Sequence, residues 1–214
     1  KIVVAGLRSR GIIPHLASIL IGNDEASRLY VELKKKATEK VGAELNPYFL
    51  PEKTELSTIL TLINSLNSDE NIHGIMVQLP IPGKLGESKD EIIEAIDSKK
   101  DVDGLKKDSL FLHPTSKAVI DILDFALSQI SQLTNQPITI CVVGATGMVG
   151  TPLVKRLKVD GYKVIGVDSK TENLETATEG ADVVVSATGI PGLIKPEMVK
   201  EGVVAIDVGS PRSE

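Results

Sequence analysis

The stretch ITICVVGATGMVG, residues 138–150, decides the fold. Its first six residues are apolar or β-branched and predict a buried strand. Glycines then recur at every third position, Gly144, Gly147 and Gly150, and a helical pattern follows. Glycine permits positive φ and lets a pyrophosphate approach the backbone, and the start of the helix supplies N–H donors. The stretch therefore predicts a loop that binds a dinucleotide, although its spacing departs from the common Gly-x-Gly-x-x-Gly pattern.

An acidic residue downstream strengthens this prediction. Asp168 lies 24 residues after Gly144, at the end of a strand predicted over 163–167. A carboxylate in that place accepts hydrogen bonds from the ribose hydroxyls and repels a 2′-phosphate, which favours NAD over NADP. Alternatively, Asp168 or Ser169 caps the helix that follows.

A second loop of small residues is expected beside the cofactor. It follows the strand predicted over 181–187, and open α/β sheets bind ligands at the carboxyl ends of their strands. The residues predicted to bind the cofactor, NADP or NAD, are Gly144, Ala145, Thr146, Gly147, Met148, Val149, Gly150, Asp168, Ser169, Ala187, Thr188 and Gly189.

Short apolar runs alternate with helical patterns along the chain, which predicts an α/β protein with parallel sheets. The predicted strands are 15–21, 45–50, 72–79, 138–143, 163–167, 181–187 and 203–208. The predicted helices are 24–41, 54–66, 91–96 and 119–130, with a loop over 98–116 and a link over 131–136. We predict two domains: an N-terminal α/β substrate domain over 1–118 and a Rossmann-type nucleotide-binding domain over 119–214.

The composition argues against two classes of partner. The 214 residues carry a net charge of −5, no Trp and only 3% aromatic residues. Nucleic-acid-binding proteins usually have a basic surface and aromatic residues for stacking, so we expect no nucleic-acid partner. No apolar stretch reaches the roughly 18 residues of a membrane span, so we expect no membrane partner and a cytoplasmic location. The single cysteine, Cys141, excludes an internal disulfide and is predicted to be a buried strand residue; no metal site is predicted.

Four polar residues of the first half are candidates for chemistry. Tyr30 and Lys34 share one face of a predicted helix at a spacing of i, i+4. A partly desolvated lysine loses its proton more easily and can transfer protons near neutral pH, although most helix lysines are solvated. Gln78 lies near the carboxyl end of a predicted strand, where α/β sheets place ligands. Asp103 lies in a turn sequence and could equally be an Asx-turn residue.

The motifs around these residues are YVELKKKA at 30–37, HGIMVQLPIP at 73–82 and KDVDG at 100–104. In this order they closely resemble the methylenetetrahydrofolate dehydrogenase/cyclohydrolase family. IGNDEAS at 21–27 and AIDVG at 205–209 fit the same family. The resemblance covers nearly the whole chain, and the Gln-Leu-Pro and Asp-Val-Asp-Gly motifs are specific to the family.

The resemblance implies an enzyme of one-carbon folate metabolism with two activities. It would oxidise methylenetetrahydrofolate to methenyltetrahydrofolate with NAD(P), and hydrolyse methenyl- to formyltetrahydrofolate. Lys34 would handle the proton of the hydrolysis, Gln78 would hydrogen-bond Lys34 and tune its charge, and Asp103 would anchor the pterin. The implied catalytic residues are Tyr30, Lys34, Gln78 and Asp103, and the implied substrate-binding residues are Tyr30, Gln78, Leu79, Pro80 and Asp103. The partners implied are tetrahydrofolate derivatives and a second copy in a homodimer.

The sequence departs from the family pattern in three places. HPTSKA at 113–118 replaces a Pro-Cys-Thr-Pro-x-Gly motif, of which only Thr115 survives. Ala145 stands where many members have the Arg of Gly-Arg-Ser, and Asp168 stands where many have His; both changes favour NAD. The family's N-terminal helix and C-terminal segment would lie outside this sequence. Two other functions stay open: a dehydrogenase of similar architecture acting on shikimate or an amino acid, and a catalytically silent folate- or dinucleotide-binding remnant.

Overall fold

The computed structural model describes residues 1–129 and 137–209, and the chain divides into two compact units, Lys1–Phe111 and Leu112–Glu214. Each unit contains a parallel β-sheet with helices, which confirms the predicted α/β class. The predicted link over 131–136 lies outside the described residues, as does Ile130 at the end of the predicted helix. The functional boundary between 118 and 119 stays a prediction.

The first unit is built on a three-stranded parallel sheet in the order β2-β1-β3. A 3₁₀ helix, Gly83–Ser88, precedes its last helix. The helices and strands are α1 (Ile2–Arg8), β1 (His15–Ile21), α2 (Glu25–Val41), β2 (Glu44–Leu50), α3 (Leu56–Ser68), β3 (Gly74–Val77) and α4 (Lys89–Glu94).

The central strand β1 separates the apolar core of this unit into two faces. Ile19 and Ile21 pack with the buried residues of α3 and α4. Leu20 points to the other face and packs with Val31 of α2 and Leu45 of β2. Because side chains alternate along a strand, α2 lies on one face of the sheet and α3 and α4 lie on the other.

The ends of α2 are fixed by its own sequence. The Asp24 carboxylate accepts a hydrogen bond from the backbone N–H of Ser27 at 2.7 Å, and Gly42 ends the helix with a φ of 86°. Both fit the local sequence, since Asp is a favoured N-cap residue and glycine adopts positive φ without strain. These two local signals therefore set where α2 begins and where it ends.

The second unit is built on a four-stranded parallel sheet in the order β5-β4-β6-β7. A 3₁₀ helix, Pro196–Met198, precedes the last strand. The helices and strands are α5 (Pro114–Gln129), β4 (Thr139–Val143), α6 (Gly150–Val159), β5 (Lys163–Val167), α7 (Leu174–Glu179), β6 (Val183–Ser186) and β7 (Val204–Asp207).

Strand β4 is buried on both faces, as its continuous apolar run predicts. Ile140 and Val142 pack in one cluster with buried residues of α5 and α6. Cys141 and Val143 pack in the cluster on the opposite face. Cys141 is fully buried, which confirms its predicted place in the strand.

Every predicted strand is present, with ends that lie within two residues of the prediction. Three helical features differ. α1 was not predicted; α5 begins at Pro114 and not at 119, because proline suits the first position of a helix. α7 is capped by Asn173, whose side chain accepts a hydrogen bond from Thr176 N at 3.0 Å, so neither Asp168 nor Ser169 caps it.

Within 1–129 and 137–209, no helix is long and apolar enough to cross a membrane, and no three His, Cys, Asp or Glu side chains are grouped to hold a metal.

Candidate active site

The first candidate site is centred on the ammonium group of Lys34 in α2. Lys34 Nζ donates a hydrogen bond to Gln78 Oε1 at 2.9 Å. Gln78 follows β3 directly, and its Nε2 donates to the carbonyl oxygen of Leu79 at 3.0 Å. That second bond fixes the orientation of the amide, so its oxygen faces the lysine. The structure thus brings together a helix residue and a residue after a strand that are 44 positions apart.

Burial lowers the pKa of Lys34 from its ordinary value, and the negative charge of Asp103 acts in the opposite direction. Burial disfavours the charged ammonium because fewer water molecules solvate it. The lysine therefore gives up its proton at a lower pH than a solvated lysine does. Asp103 limits the effect, which also indicates that its carboxylate lies close enough to Lys34 to interact with it.

Asp103 is placed by contacts of the two residues before it. Asp101 forms an isolated parallel bridge with Ile75 of β3. Val102 packs against Gly74, where a Cβ would lie 2.8 Å from Val102 Cγ1. Glycine at 74 is therefore required for the loop to approach the strand this closely.

The remaining predicted substrate residues are all at least partly accessible to solvent. Tyr30 lies one helical turn before Lys34, and 55% of it is exposed. Leu79 is partly exposed and Pro80 is exposed, and the peptide bond between them is cis. These side chains are available to contact a ligand.

Sequence reasoning gave no role to Met76, which also contacts the lysine. Its Sδ lies 3.7 Å from Lys34 Nζ, and the residue is 3% exposed. Met76 precedes Gln78 by two positions, and residues at that spacing along a strand point to the same face. Met76 helps to exclude water from the ammonium group.

The second candidate site is the glycine loop of the second unit. Gly144 has a φ of 90°, and its N–H donates to the Val167 carbonyl at 2.8 Å. A Cβ on Gly150 would lie 2.1 Å from the Gly144 carbonyl oxygen, so a larger residue cannot occupy this position without moving the loop. α6 begins at Gly150 with no side-chain cap on its N-cap residue, Val149. The arrangement fits a pyrophosphate, because the glycines leave the backbone of the loop open to close approach by a ligand.

Asp168 follows Val167, the residue whose carbonyl accepts the N–H groups of Gly144 and Ala145. Its Oδ1 accepts a hydrogen bond from the N–H of Lys170 at 2.9 Å. The carboxylate is partly exposed beside the glycine loop, where a ribose hydroxyl could reach it. Ser169 is exposed and follows it.

The small-residue loop after β6 also meets the glycine loop. A Cβ on Gly144 would lie 2.9 Å from the carbonyl oxygen of Ala187 and 3.3 Å from Thr188 Cγ2. Gly189 has a φ of 66°. A Cβ on Gly209 would lie 2.5 Å from the backbone nitrogen of Gly189, so the two glycines are in close contact. The structure thus brings the two predicted cofactor loops together, and Thr146 and Met148 of the glycine loop are exposed.

A Rossmann-type unit with a glycine loop, joined in one chain to an α/β unit with a half-buried lysine, defines a two-domain NAD(P)-binding enzyme. Two family models match the chain: the tetrahydrofolate dehydrogenase/cyclohydrolase catalytic domain over residues 1–103, and the NAD(P)-binding domain of the same family over 113–214. The chain belongs to the tetrahydrofolate dehydrogenase/cyclohydrolase family, which confirms the resemblance of its motifs.

Individual relatives agree with this assignment. The bifunctional protein FolD of Lactobacillus acidophilus is 38% identical over 215 residues, covering 96% of this chain and 74% of the relative. The crystal structure of the bifunctional enzyme FolD from Campylobacter jejuni matches with a TM-score of 0.87 at 36% identity, covering 96% of this chain and 74% of that one. The Trypanosoma brucei enzyme, complexed with NADP and an inhibitor, matches with a TM-score of 0.84 at 29% identity, covering 97% and 73%.

Proposed function

We propose that the chain catalyses two consecutive reactions of one-carbon folate metabolism. It oxidises methylenetetrahydrofolate to methenyltetrahydrofolate with NAD(P), and it hydrolyses the methenyl product to formyltetrahydrofolate. The observation that carries the proposal is the 2.9 Å hydrogen bond from Lys34 to Gln78, in surroundings that lower the pKa of the lysine. Perturbed lysines held by a second polar group are typical of proton-transfer sites.

The hydrolysis needs a base that accepts a proton from water, and it does not need a strong acid. Water adds to the methenyl carbon, one C–N bond breaks, and the net reaction releases one proton. Neutral Lys34 accepts the proton from the attacking water, and the hydrogen bond to Gln78 fixes the position of Nζ for this transfer. Because burial lowers its pKa, a usable fraction of Lys34 is neutral at lower pH than for a solvated lysine.

The other first-unit residues bind and orient the folate. Asp103 accepts hydrogen bonds from the amino and ring N–H groups of the pterin. Tyr30 packs on the folate with its exposed ring, and Leu79 and Pro80 line the substrate. Positioning of this kind supplies a large part of the rate enhancement when the reaction itself is electronically easy.

The glycine loop and Asp168 fit NAD(P), which accepts the hydride from the methylene carbon when bound. The tight approach at Gly150 and the positive φ of Gly144 are what a bound pyrophosphate requires. We expect NAD to be preferred, since Ala145 offers no cation to a 2′-phosphate and the Asp168 carboxylate repels one. The ratio of kcat/KM for the two cofactors checks this, with at least about a tenfold preference expected and a reduced ratio in Asp168→Ser. A clear NADP preference of the wild type would contradict it.

Lys34→Ala tests the assignment of the hydrolysis. In a coupled absorbance assay with methylenetetrahydrofolate and either cofactor, we expect hydrolysis to fall by about 100-fold or more while some hydride transfer remains. Lys36→Ala is the matched control, because Lys36 is an exposed lysine of the same helix. Equal hydrolysis in Lys34→Ala and the wild type would refute the role of Lys34.

The competing functions lack support of this kind. The match to both domain models of one folate family favours folate over shikimate or an amino acid. Nothing in the described part of the chain favours a catalytically silent remnant, which would show cofactor binding by calorimetry without turnover. We further propose a homodimer, on the resemblance to the family alone, and light scattering of the purified chain tests it.

A further inference from the structure

The loop that carries Asp103 contains two lysines whose ammonium groups point into the first unit. Lys100 Nζ donates to three carbonyl oxygens at the carboxyl end of α3. They belong to Leu66, Asn67 and Asp69, at 2.9, 2.8 and 2.7 Å. The last carbonyls of a helix have no partner within the helix and carry partial negative charge, so an ammonium with three donors matches them well.

Lys106 makes the equivalent contact at the next helix. Its Nζ donates to the carbonyl oxygens of Glu94, at 2.9 Å, and Ile96, which lie at the carboxyl end of α4. The side chain is only 9% exposed, which is rare for lysine. The backbone N–H of Lys106 also donates to the buried carboxylate of Asp101 at 2.9 Å. The far side of the loop is therefore fixed through both its backbone and its side chain.

The two helix ends are tied to each other as well. Asn67 Nδ2 donates to the carbonyl oxygen of Ala95 at 2.8 Å, and its Oδ1 accepts from the N–H of Asp97 at 2.9 Å. Asp103 lies between the two anchored lysines, three residues from each. The helix ends that the two lysines bind are joined to each other through Asn67.

We infer that Lys100 and Lys106 are positioning residues: by binding the carboxyl ends of α3 and α4 they hold the Asp103 carboxylate in place, and so set the affinity for the pterin. The inference rests on the proposed folate function. Neither lysine contacts the reacting atoms, so each acts on the substrate only through Asp103. Truncating either should weaken ground-state and transition-state binding equally, which raises KM and leaves kcat nearly unchanged.

Steady-state kinetics of the full chain test this with Lys100→Met and Lys106→Met. Lys99→Met and Lys107→Met are matched controls, since these neighbouring lysines are exposed. We expect KM for methylenetetrahydrofolate to rise about tenfold in the first pair, with kcat within about twofold and the KM for NAD(P) unchanged, and no change in the controls. Lys→Arg variants should recover most of the affinity. If the Met variants do not fold, Lys→Gln variants keep two N–H donors and should raise KM about threefold.

A double-mutant cycle separates positioning from general destabilisation. In an Asp103→Asn background, Lys106→Met should raise KM no further, because the group that it positions is already altered. An equal rise in both backgrounds, or a lower Tm with unchanged KM, would overturn the inference.

Hydrogen exchange distinguishes this inference from the proposed function. A wild-type chain that turns over no folate refutes the proposed function, but the amides of 101–106 still report on the loop. They should exchange at least about tenfold faster in Lys100→Met and Lys106→Met than in the wild type and both controls. Unchanged exchange would mean that the lysines do not hold the loop.

Discussion

Replacing Gln78 by Glu tests the electrostatics of the lysine site with a single atom change. The substitution puts a negative charge where Gln78 Oε1 now accepts the hydrogen bond from Lys34 Nζ at 2.9 Å. Coulomb's law gives an added attraction of about 1.4 kcal/mol at a dielectric constant of about 80, and about 6 kcal/mol at about 20. Lys34 is partly exposed, so solvent screening places the result near the lower value. The pKa of Lys34 should therefore rise by about one to two units.

The pH profile of the hydrolysis measures this shift. Neutral Lys34 is the active form, so the rate rises with pH through the pKa of the lysine. In Gln78→Glu this limb should move upward by about one to two pH units, which lowers the rate about tenfold to 100-fold at a fixed pH below both pKa values. Hydride transfer should change much less, since it does not use the lysine proton.

Gln78→Met is the control, because it removes the hydrogen-bond acceptor and adds no charge. Losing an acceptor that stabilises the ammonium form cannot raise the pKa of Lys34, so the rise of the hydrolysis rate with pH should not move to higher pH even though the rate falls. If the pH profiles of Gln78→Glu and the wild type superimpose after scaling, Lys34 is not the group that titrates in the hydrolysis.

Three other predictions follow from particular contacts. Asp103→Asn removes a charge that raises the pKa of Lys34, so the same limb should move to lower pH, by less than about one unit, while KM for the folate rises about tenfold; an upward move would contradict the electrostatic assignment. Gly150→Ala should weaken NAD(P) binding at least about tenfold in calorimetry, since its Cβ would lie 2.1 Å from a carbonyl oxygen, whereas Gly180→Ala, with no atom within 4 Å of its Cβ, should bind normally. Burial raises the pKa of Cys141 to about 11, so a thiol reagent at pH 8 should label it only after denaturation; rapid labelling of the native chain would show that β4 opens.

The helix α1 shows why one element escaped prediction from sequence. Its residues Ile2-Val3-Val4-Ala5-Gly6-Leu7-Arg8 include β-branched residues and a glycine, which are poor helix formers. No residue of α1 is buried, and Ile2 is 90% exposed, so little packing marks this helix in the sequence. A tertiary bond contributes to holding it, from Arg8 Nη1 to the carbonyl oxygen of Gly42 at 2.9 Å.

The sequence by itself determined the seven strands that the structure describes and the glycine loop. It also placed Lys34 and Gln78 in motifs of the same family. Strands buried on both faces read as continuous apolar runs, and a loop that requires positive φ or close approach needs glycine, so both leave a local signal. Only the tertiary structure decided what surrounds the lysine. The resemblance already implied the hydrogen bond from Lys34 to Gln78, but the contact with Met76, the burial and the influence of Asp103 come from positions more than 40 residues away that only folding brings to the lysine.

The same distinction explains the two lysines of the Asp103 loop. In the sequence Lys100 and Lys106 look like Lys99 and Lys107, and all four would be taken for solvated charges. Each lysine of the first pair binds carbonyl groups at the end of one helix, α3 or α4, and only folding brings the loop to those helix ends. Charge and residue type are local properties, whereas the partner of a charge depends on contacts that the folded chain alone creates.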